Sequence, residues 1–206
     1  DGAGKPAWDR YTPDILEKLK ADSEDWAGEY LCDPTRSGSK FFDVTMVKAM
    51  LEEAMPPVNH VGLTRRWADY NPAHRYGMGI DLSDGVGSDS CALVLFDFTD
   101  GMIVATADSN EIAPDIFTFE AMKLGEEFGH CIIAPEINNT CGGIAISTLK
   151  DRSYPNIYQK EITDNVANVL TKRLGWHTSG KSKTDMLYEF KRDFSDGHVT
   201  IPDERI

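Results

Sequence analysis

Cysteine is scarce and solitary in this 206-residue chain. Cys32, Cys91, Cys131 and Cys141 show no Cys-x-x-Cys spacing, so they read as buried reduced thiols of an intracellular protein rather than a disulfide framework. The five histidines are scattered, without His-Glu-x-x-His, which argues against a zinc site. No apolar run approaches the length of a membrane span, and no charged-then-apolar leader follows Asp1, so neither a membrane protein nor a secreted one is expected. The missing initial Met, and a pattern broken off in Val199–Ile206, read as an excised piece of a longer protein. Basic residues are also in short supply: 21 Lys and Arg against 34 Asp and Glu give a net charge of −13. A strong nucleic-acid binder is disfavoured on that global figure, because phosphate backbones reward basic surfaces. A local basic strip can still hold a strand, and a metal-carboxylate site adds negative charge of its own.

What is present is ordinary globular composition, 41% hydrophobic and 27% charged, arranged around two strands that each end on an acid. Tyr76–Asp81 is a short apolar strand. Gly85 and Gly87 allow the tight reversal that follows, and a second strand returns from Cys91 to Phe98. Gly129-His-Cys-Ile-Ile-Ala-Pro-Glu136 repeats the strand-then-acid device. If the two strands are parallel neighbours, Asp81 and Glu136 meet at strand C-termini, the usual ligand edge of open α/β sheets. Oxygen-only donors suit Mg²⁺ or Mn²⁺, and two such ions can activate water for phosphodiester cleavage. The competing explanation is a turn-capping Asp and a surface Glu. Asp89 stands in the same loop as a supporting ligand, Asp84 as an Asx-turn residue. Asn138 and Asn139 either orient Glu136 or open a helix.

The rest of the chain frames these acids. Residues 1–70 read as a helical lead-in, with a cap at Thr12-Pro13-Asp14, a short helix over Asp22–Leu31, a turn-rich stretch Cys32–Ser39, and an Asp43-capped helix carrying Val44, Val47, Leu51 and Met55 on one face. From 71 to 206 the pattern is that of an α/β domain. Three antiparallel strands, the third over Met102–Asp108, are followed by a helix opened by Pro114 (Phe117, Ala121, Leu124 and Phe128 inward), the Glu136 strand, and further alternating elements. The expected architecture is a mixed sheet with helices on its faces. A last helix over Lys183–Phe194 is expected to turn Leu187, Phe190 and Phe194 inward.

Gly175-Trp-His-Thr-Ser-Gly180-Lys181-Ser182 satisfies the G-x-x-x-x-G-K-[ST] pattern. The residues before it are too polar for the central strand that a phosphate loop follows, and Ser182-x-x-Asp185 is explained as a capping box. Arg173, His177, Lys181 and Lys183 gather there, a basic cluster that is either a clamp on a nucleic-acid backbone or a solvated loop.

Taken in order, Gly79-Ile-Asp81 with its acidic Gly-rich loop, Pro135-Glu136-Ile-Asn-Asn139, Tyr154-Pro-Asn-Ile-Tyr158 and Gly175-Trp-His-Thr-Ser179 followed by Lys183-Thr184 resemble the nuclease half of tailed-phage large terminase subunits. Trp26–Pro34 resembles the segment that joins this half to the motor. The resemblance implies an RNase H-like fold and an endonuclease using two Mg²⁺ or Mn²⁺ ions to cut concatemeric double-stranded DNA. It makes Asp81 and Glu136 the first two metal-binding acids. It also implies a motor domain in the same full-length chain, small terminase subunit and portal protein as partners, and the infected bacterium's cytoplasm as location. The family's third catalytic Asp, on a late helix, has no match before Ile206, so weak cutting is expected of this stretch alone. Two other readings share the strand order: a nucleotide-binding lobe like those of actin-like and sugar-kinase-like ATPases, and a non-catalytic docking domain.

Overall fold

A computed structural model describes residues 13–22, 41–83, 89–164 and 169–206. The chain divides into two compact units, Asp1–Lys48 and Ala49–Ile206. The Thr12 cap, the helix expected over Asp22–Leu31, the Cys32–Ser39 stretch with Cys32, and Asp84, Gly85 and Gly87 lie outside the described residues. In the first unit, helix α1 (Pro13–Asp22) starts on Pro13, whose fixed φ and missing N–H suit a first helical turn. Helix α2 (Val44–Glu53) crosses the division. Its cap is Asp43, whose Oδ1 accepts the N–H groups of Thr45 (2.7 Å) and Met46 (3.2 Å). The apolar face expected on this helix is not buried: Val47, Leu51 and the following Met55 are all exposed.

The second unit is built on a six-stranded sheet: β1 (Asn59–Val61), β2 (Thr64–Arg66), β3 (Tyr76–Asp81), β4 (Cys91–Asp97), β5 (Met102–Ser109) and β6 (Ile132–Pro135). The spatial order is β1-β2-β5-β4-β3-β6, with β3 and β6 parallel and every other pair antiparallel. The sheet therefore begins at Asn59, earlier than residue 71, because the β1–β2 hairpin adds an edge to the three-stranded meander. Strand β4 alternates buried and half-buried residues along its length, the period-two signature of a sheet with two unequal faces.

Met78, Ile80, Leu93, Leu95, Ala105 and Ile133 form the well-buried face. Helices α3 (Pro114–Glu127) and α4 (Thr140–Asp151) cover it with Phe117, Ala121, Leu124, Phe128, Ala145 and Leu149. Burying a Leu or Phe in such a layer contributes about 1.5–3 kcal/mol. Cys91, Cys131 and Cys141 are buried, and burial pushes the Cys131 thiol up to about 11, so it is inert at neutral pH. Beyond β6, strands β7 (Gln159–Asp164) and β8 (Val169–Leu174) form a separate antiparallel hairpin.

Helix α5 (Gly180–Ser195) departs from its expected packing. Phe194 is buried, whereas Leu187 is half-buried and Phe190 is exposed. Phe190 lines an open cavity of about 720 Å³ on the less-buried sheet face, together with Gly77, Gly79, Val94, Phe96 and Ile132. The segment after α5 returns along the sheet, with Thr200 bridged to Met102. Buried Asp203 accepts from the Thr106 hydroxyl (2.8 Å) and from Arg205.

At the N-terminal end of β3, His74 Nδ1 lies 2.7 Å from Asp97 Oδ2, and Asp97 Oδ1 accepts the Thr99 N–H. The Asp97 hydrogen bond holds the His74 pKa above 6.5; desolvation opposes this, and the charges of Asp100 and Asp97 assist it. Burial favours a raised Asp97 pKa, but His74 and the Thr99 and Asp100 amides outweigh it and hold the carboxyl below 3.8. The His74 contribution is therefore complete below 6.5 and fades as pH rises through the higher folded-state value. The Asp97 contribution is retained above 3.8 and lost as pH falls through the depressed value. His74→Ala should lower the melting temperature more at pH 5.5 than at pH 8.5; equal losses at both pH values would contradict the pairing.

Candidate metal centre

Strand pairing places the two acids. The β3–β6 ladder runs from Gly77–Ile132 to Ile80–Pro135, and the Glu136 N–H donates to the Ile80 carbonyl at 2.8 Å. One step further along this register stand Asp81 and Glu136, side by side at the C-terminal rim. Their carboxyl groups are within hydrogen-bonding reach, and the Asp81 pKa is raised. Partial desolvation is the largest cause, the Glu136 charge and hydrogen bond come next, and the Leu82 N–H opposes them. Like charges this close disfavour joint ionisation. The same crowding suits a hard cation, which oxygen donors prefer and which relieves the repulsion. Asp81 and Glu136 thus fit a divalent metal ion.

The backbone around Glu136 is locked from two sides. A side chain at Gly142 in α4 would overlap the Glu136 carbonyl oxygen. Gly175 has φ +82°, where glycine is favoured, and a side chain there would press on Ile137 and the Pro135 carbonyl. Of the two roles open to Asn139, orienting Glu136 or opening a helix, its hydrogen bonds give the helix entry, and none of them among the described residues reaches the Glu136 carboxylate. The Asn139 Oδ1 accepts the Gly142 N–H at 3.0 Å as the α4 N-cap, and its Nδ2 donates to the Leu82 carbonyl at 2.8 Å. It therefore ties the residue after Asp81 to the helix that follows Glu136. Asn138 pairs reciprocally with the Thr178 backbone.

Asp89 lies at this end of the sheet, and its carbonyl accepts from the Ser83 hydroxyl. Its side chain is exposed, with no hydrogen bond or ion pair to Asp81 or Glu136 among the described residues. Arg173, Lys181, Lys183 and His177 are exposed, Arg173 at the end of β8 and the others at the entry to α5. Trp176 forms a parallel bridge with Glu136 on the side opposite Asp81.

The capping box of α5 is one turn earlier than the sequence pattern places it. Ser179 is the N-cap and accepts the Ser182 N–H at 3.1 Å, while the Ser182 hydroxyl accepts the Ser179 N–H at 2.8 Å. The Lys183 amide is spent on the Ser179 carbonyl. These amides are satisfied within the loop, and the strand before it belongs to the outlying hairpin, so the context of a phosphate-cradling loop is missing.

Among the described residues, one group of three side chains could hold a metal with ligand atoms within 4.8 Å of one another: His74, Asp97 and Asp100. No spacing rule in the sequence links them, because the strand pairing Tyr76–Asp97 brings them together. They lie at the opposite end of β3 from Asp81, about 16 Å away at a strand rise of 3.3 Å per residue. The direct His74–Asp97 hydrogen bond already gives this group a structural role.

The sheet order, the antiparallel meander with a parallel β6, and helices on the faces define an RNase H-like mixed α/β fold, the fold of large terminase nuclease domains. The large terminase nuclease from thermophilic phage G20c with bound magnesium is similar over 77% of this chain and 75% of that one, at 18% identity and a TM-score of 0.57. The same nuclease with bound zinc covers 76% and 80% at 18% identity, TM-score 0.54. The Thermus phage P74-26 large terminase nuclease domain covers 77% and 73% at 17% identity, TM-score 0.54. No family model and no curated protein sequence matches the chain.

Asp81→Asn should raise the melting temperature in EDTA at pH 7.5 by about 1–3 °C, the response to roughly a kcal/mol or less in a chain of this size. The sign follows from the raised carboxyl pKa, since the ionised pair is the less stable form. A fall would show that the two carboxylates do not repel. Asn139→Ala should cost about 1–2 kcal/mol in denaturant unfolding, the usual loss on removing an Asn cap; a loss below about 0.3 kcal/mol would show that the cap is dispensable.

Proposed function

We propose that this chain is the nuclease domain of a viral DNA-packaging terminase, an endonuclease that uses two Mg²⁺ or Mn²⁺ ions to cut concatemeric double-stranded DNA. The observation that carries the reading is the juxtaposition of Asp81 and Glu136 at the C-terminal ends of parallel neighbouring strands, in a fold shared with solved terminase nucleases. That such nucleases have been crystallised with magnesium, zinc and cobalt supports a divalent requirement.

On this reading Asp81 and Glu136 hold the ions, and Asp89 supports them from the loop. Divalent ions at such a site lower the pKa of water and neutralise charge on a leaving oxygen. Asn139 keeps both strand ends in place. The rigid register β3–β6 limits relative movement of the carboxylates, which matters because catalytic positioning fails over about 1 Å. Arg173, His177, Lys181 and Lys183 hold the DNA backbone without reading sequence. A motor domain in the full-length chain, the small terminase subunit and the portal protein complete the proposed setting, in the cytoplasm of an infected bacterium. No helix among the described residues is long and apolar enough to cross a membrane.

The test pairs Mn²⁺ binding by calorimetry with plasmid nicking, for the parent chain and for Asp81→Ala and Glu136→Ala. Each variant should lose Mn²⁺ affinity, and nicking should fall by more than the roughly 10–100-fold typical of outer partners of a metal site. Unchanged Mn²⁺ binding in both variants would refute the assignment, whatever the nicking rate.

A further inference from the structure

Several basic side chains of the domain are paired with a carboxylate. Arg65 pairs with Asp108 and Asp203, Arg66 with Glu127, Lys123 with Glu120, Lys172 with Glu161 and Arg205 with Asp203. Lys160 is held differently. Its Nζ sits 5.6 Å from the centroid of the Trp176 ring, and Trp176 is itself tilted against Tyr158 at 5.9 Å. An aromatic face positions an ammonium without neutralising it. Lys160 also stands directly across the β7–β8 ladder from Arg173. Neither has a carboxylate partner among the described residues, and both are exposed. Like charges directly opposite on a ladder destabilise it. In a chain with a net charge of −13, two facing cations left unpaired at the base of a hairpin are fitted to an external anion.

Their location names the anion. Trp176 bridges to Glu136, so the series Asp81, Glu136, Trp176, Lys160, Arg173 runs continuously from the rim onto the hairpin. Resting on the nuclease reading above, we propose that Lys160, carried on Trp176 and facing Arg173, is a phosphate contact for the DNA strand that reaches Glu136. The backbone crosses the Trp176 edge and continues along the hairpin stem. Two successive phosphates engage the two cations, and Tyr158 buttresses the indole.

The experiment measures duplex binding by fluorescence anisotropy in EDTA over a range of salt concentrations, where no cutting occurs. Lys160→Gln and Arg173→Gln should each weaken binding and reduce the slope of log K against log salt by about 1, the change for one lost phosphate contact. Lys160→Arg should restore the slope, Trp176→Leu should lower it and Trp176→Phe should largely keep it. Lys123→Gln, on α3 and already paired with Glu120, should leave it unchanged. An unaltered slope in Lys160→Gln, an equal drop in Lys123→Gln, or no rescue by Lys160→Arg would each overturn the contact. The nuclease reading is judged separately by Mn²⁺ binding at Asp81 and Glu136. A chain that keeps those losses but shows an unaltered slope in Lys160→Gln loses only the present inference.

Discussion

Parallel pairing of β3 with β6 is the constraint on which the rest depends. Four ladder pairs fix the register, and the Glu136 amide extends it by one hydrogen bond to Ile80. A slip of one residue would turn Glu136 to the opposite face from Asp81, because side chains alternate with period two. The interior guards against that slip. Met78 pairs with Ile133 within the buried layer, and Ile80 packs beside them, so a shifted strand would expose its apolar residues and bury Asp81 or Glu136. Hydrophobic burial thereby holds two mutually repelling carboxylates at one rim.

Around that rim, small residues and amide side chains take up what the acids cannot supply. Gly142 and Gly175 let α4 and the Trp176 segment approach the Glu136 backbone from either side. Asn139 fastens α4 to Leu82. The hairpin β7–β8 continues outward from the same place, with Lys160 and Arg173 facing each other across its ladder and no carboxylate partner for either among the described residues. The opposite end of the strands is clasped by His74 and Asp97, which leaves the two ends chemically distinct: one a satisfied pair, the other an unsatisfied one.

Much of this was legible in order along the chain. The strand-then-acid device at Asp81 and Glu136, the meander through Asp108, and the Pro114 helix with Phe117, Ala121, Leu124 and Phe128 inward all follow from local periodicity and from Pro at a helix start. Elsewhere the pattern misled. The α2 stripe of Val47 and Leu51 is amphipathic yet exposed, and Phe190 of α5 lines an open cavity rather than a core. Periodicity reports which residues share a face, not whether anything covers that face. The cap of α5 is Ser179 rather than Ser182, because both serines fit the spacing and only the helix start decides between them. The short β1–β2 hairpin shows no strong alternation and is held as an edge by its pairing with β5.

The sequence by itself determined the ingredients: two apolar strands each closed by a carboxylate, glycines and an asparagine beside the second, and a few cations gathered late in an acidic chain. Only the tertiary structure decided who stands next to whom. The parallel ladder joined Asp81 to Glu136, the bridge from Glu136 set Trp176 beside it, and Lys160 came to face Arg173 across a hairpin. Such adjacency rests on pairings between residues far apart in the chain, which local propensity and spacing do not encode, and on the burial that makes one register more stable than its neighbours.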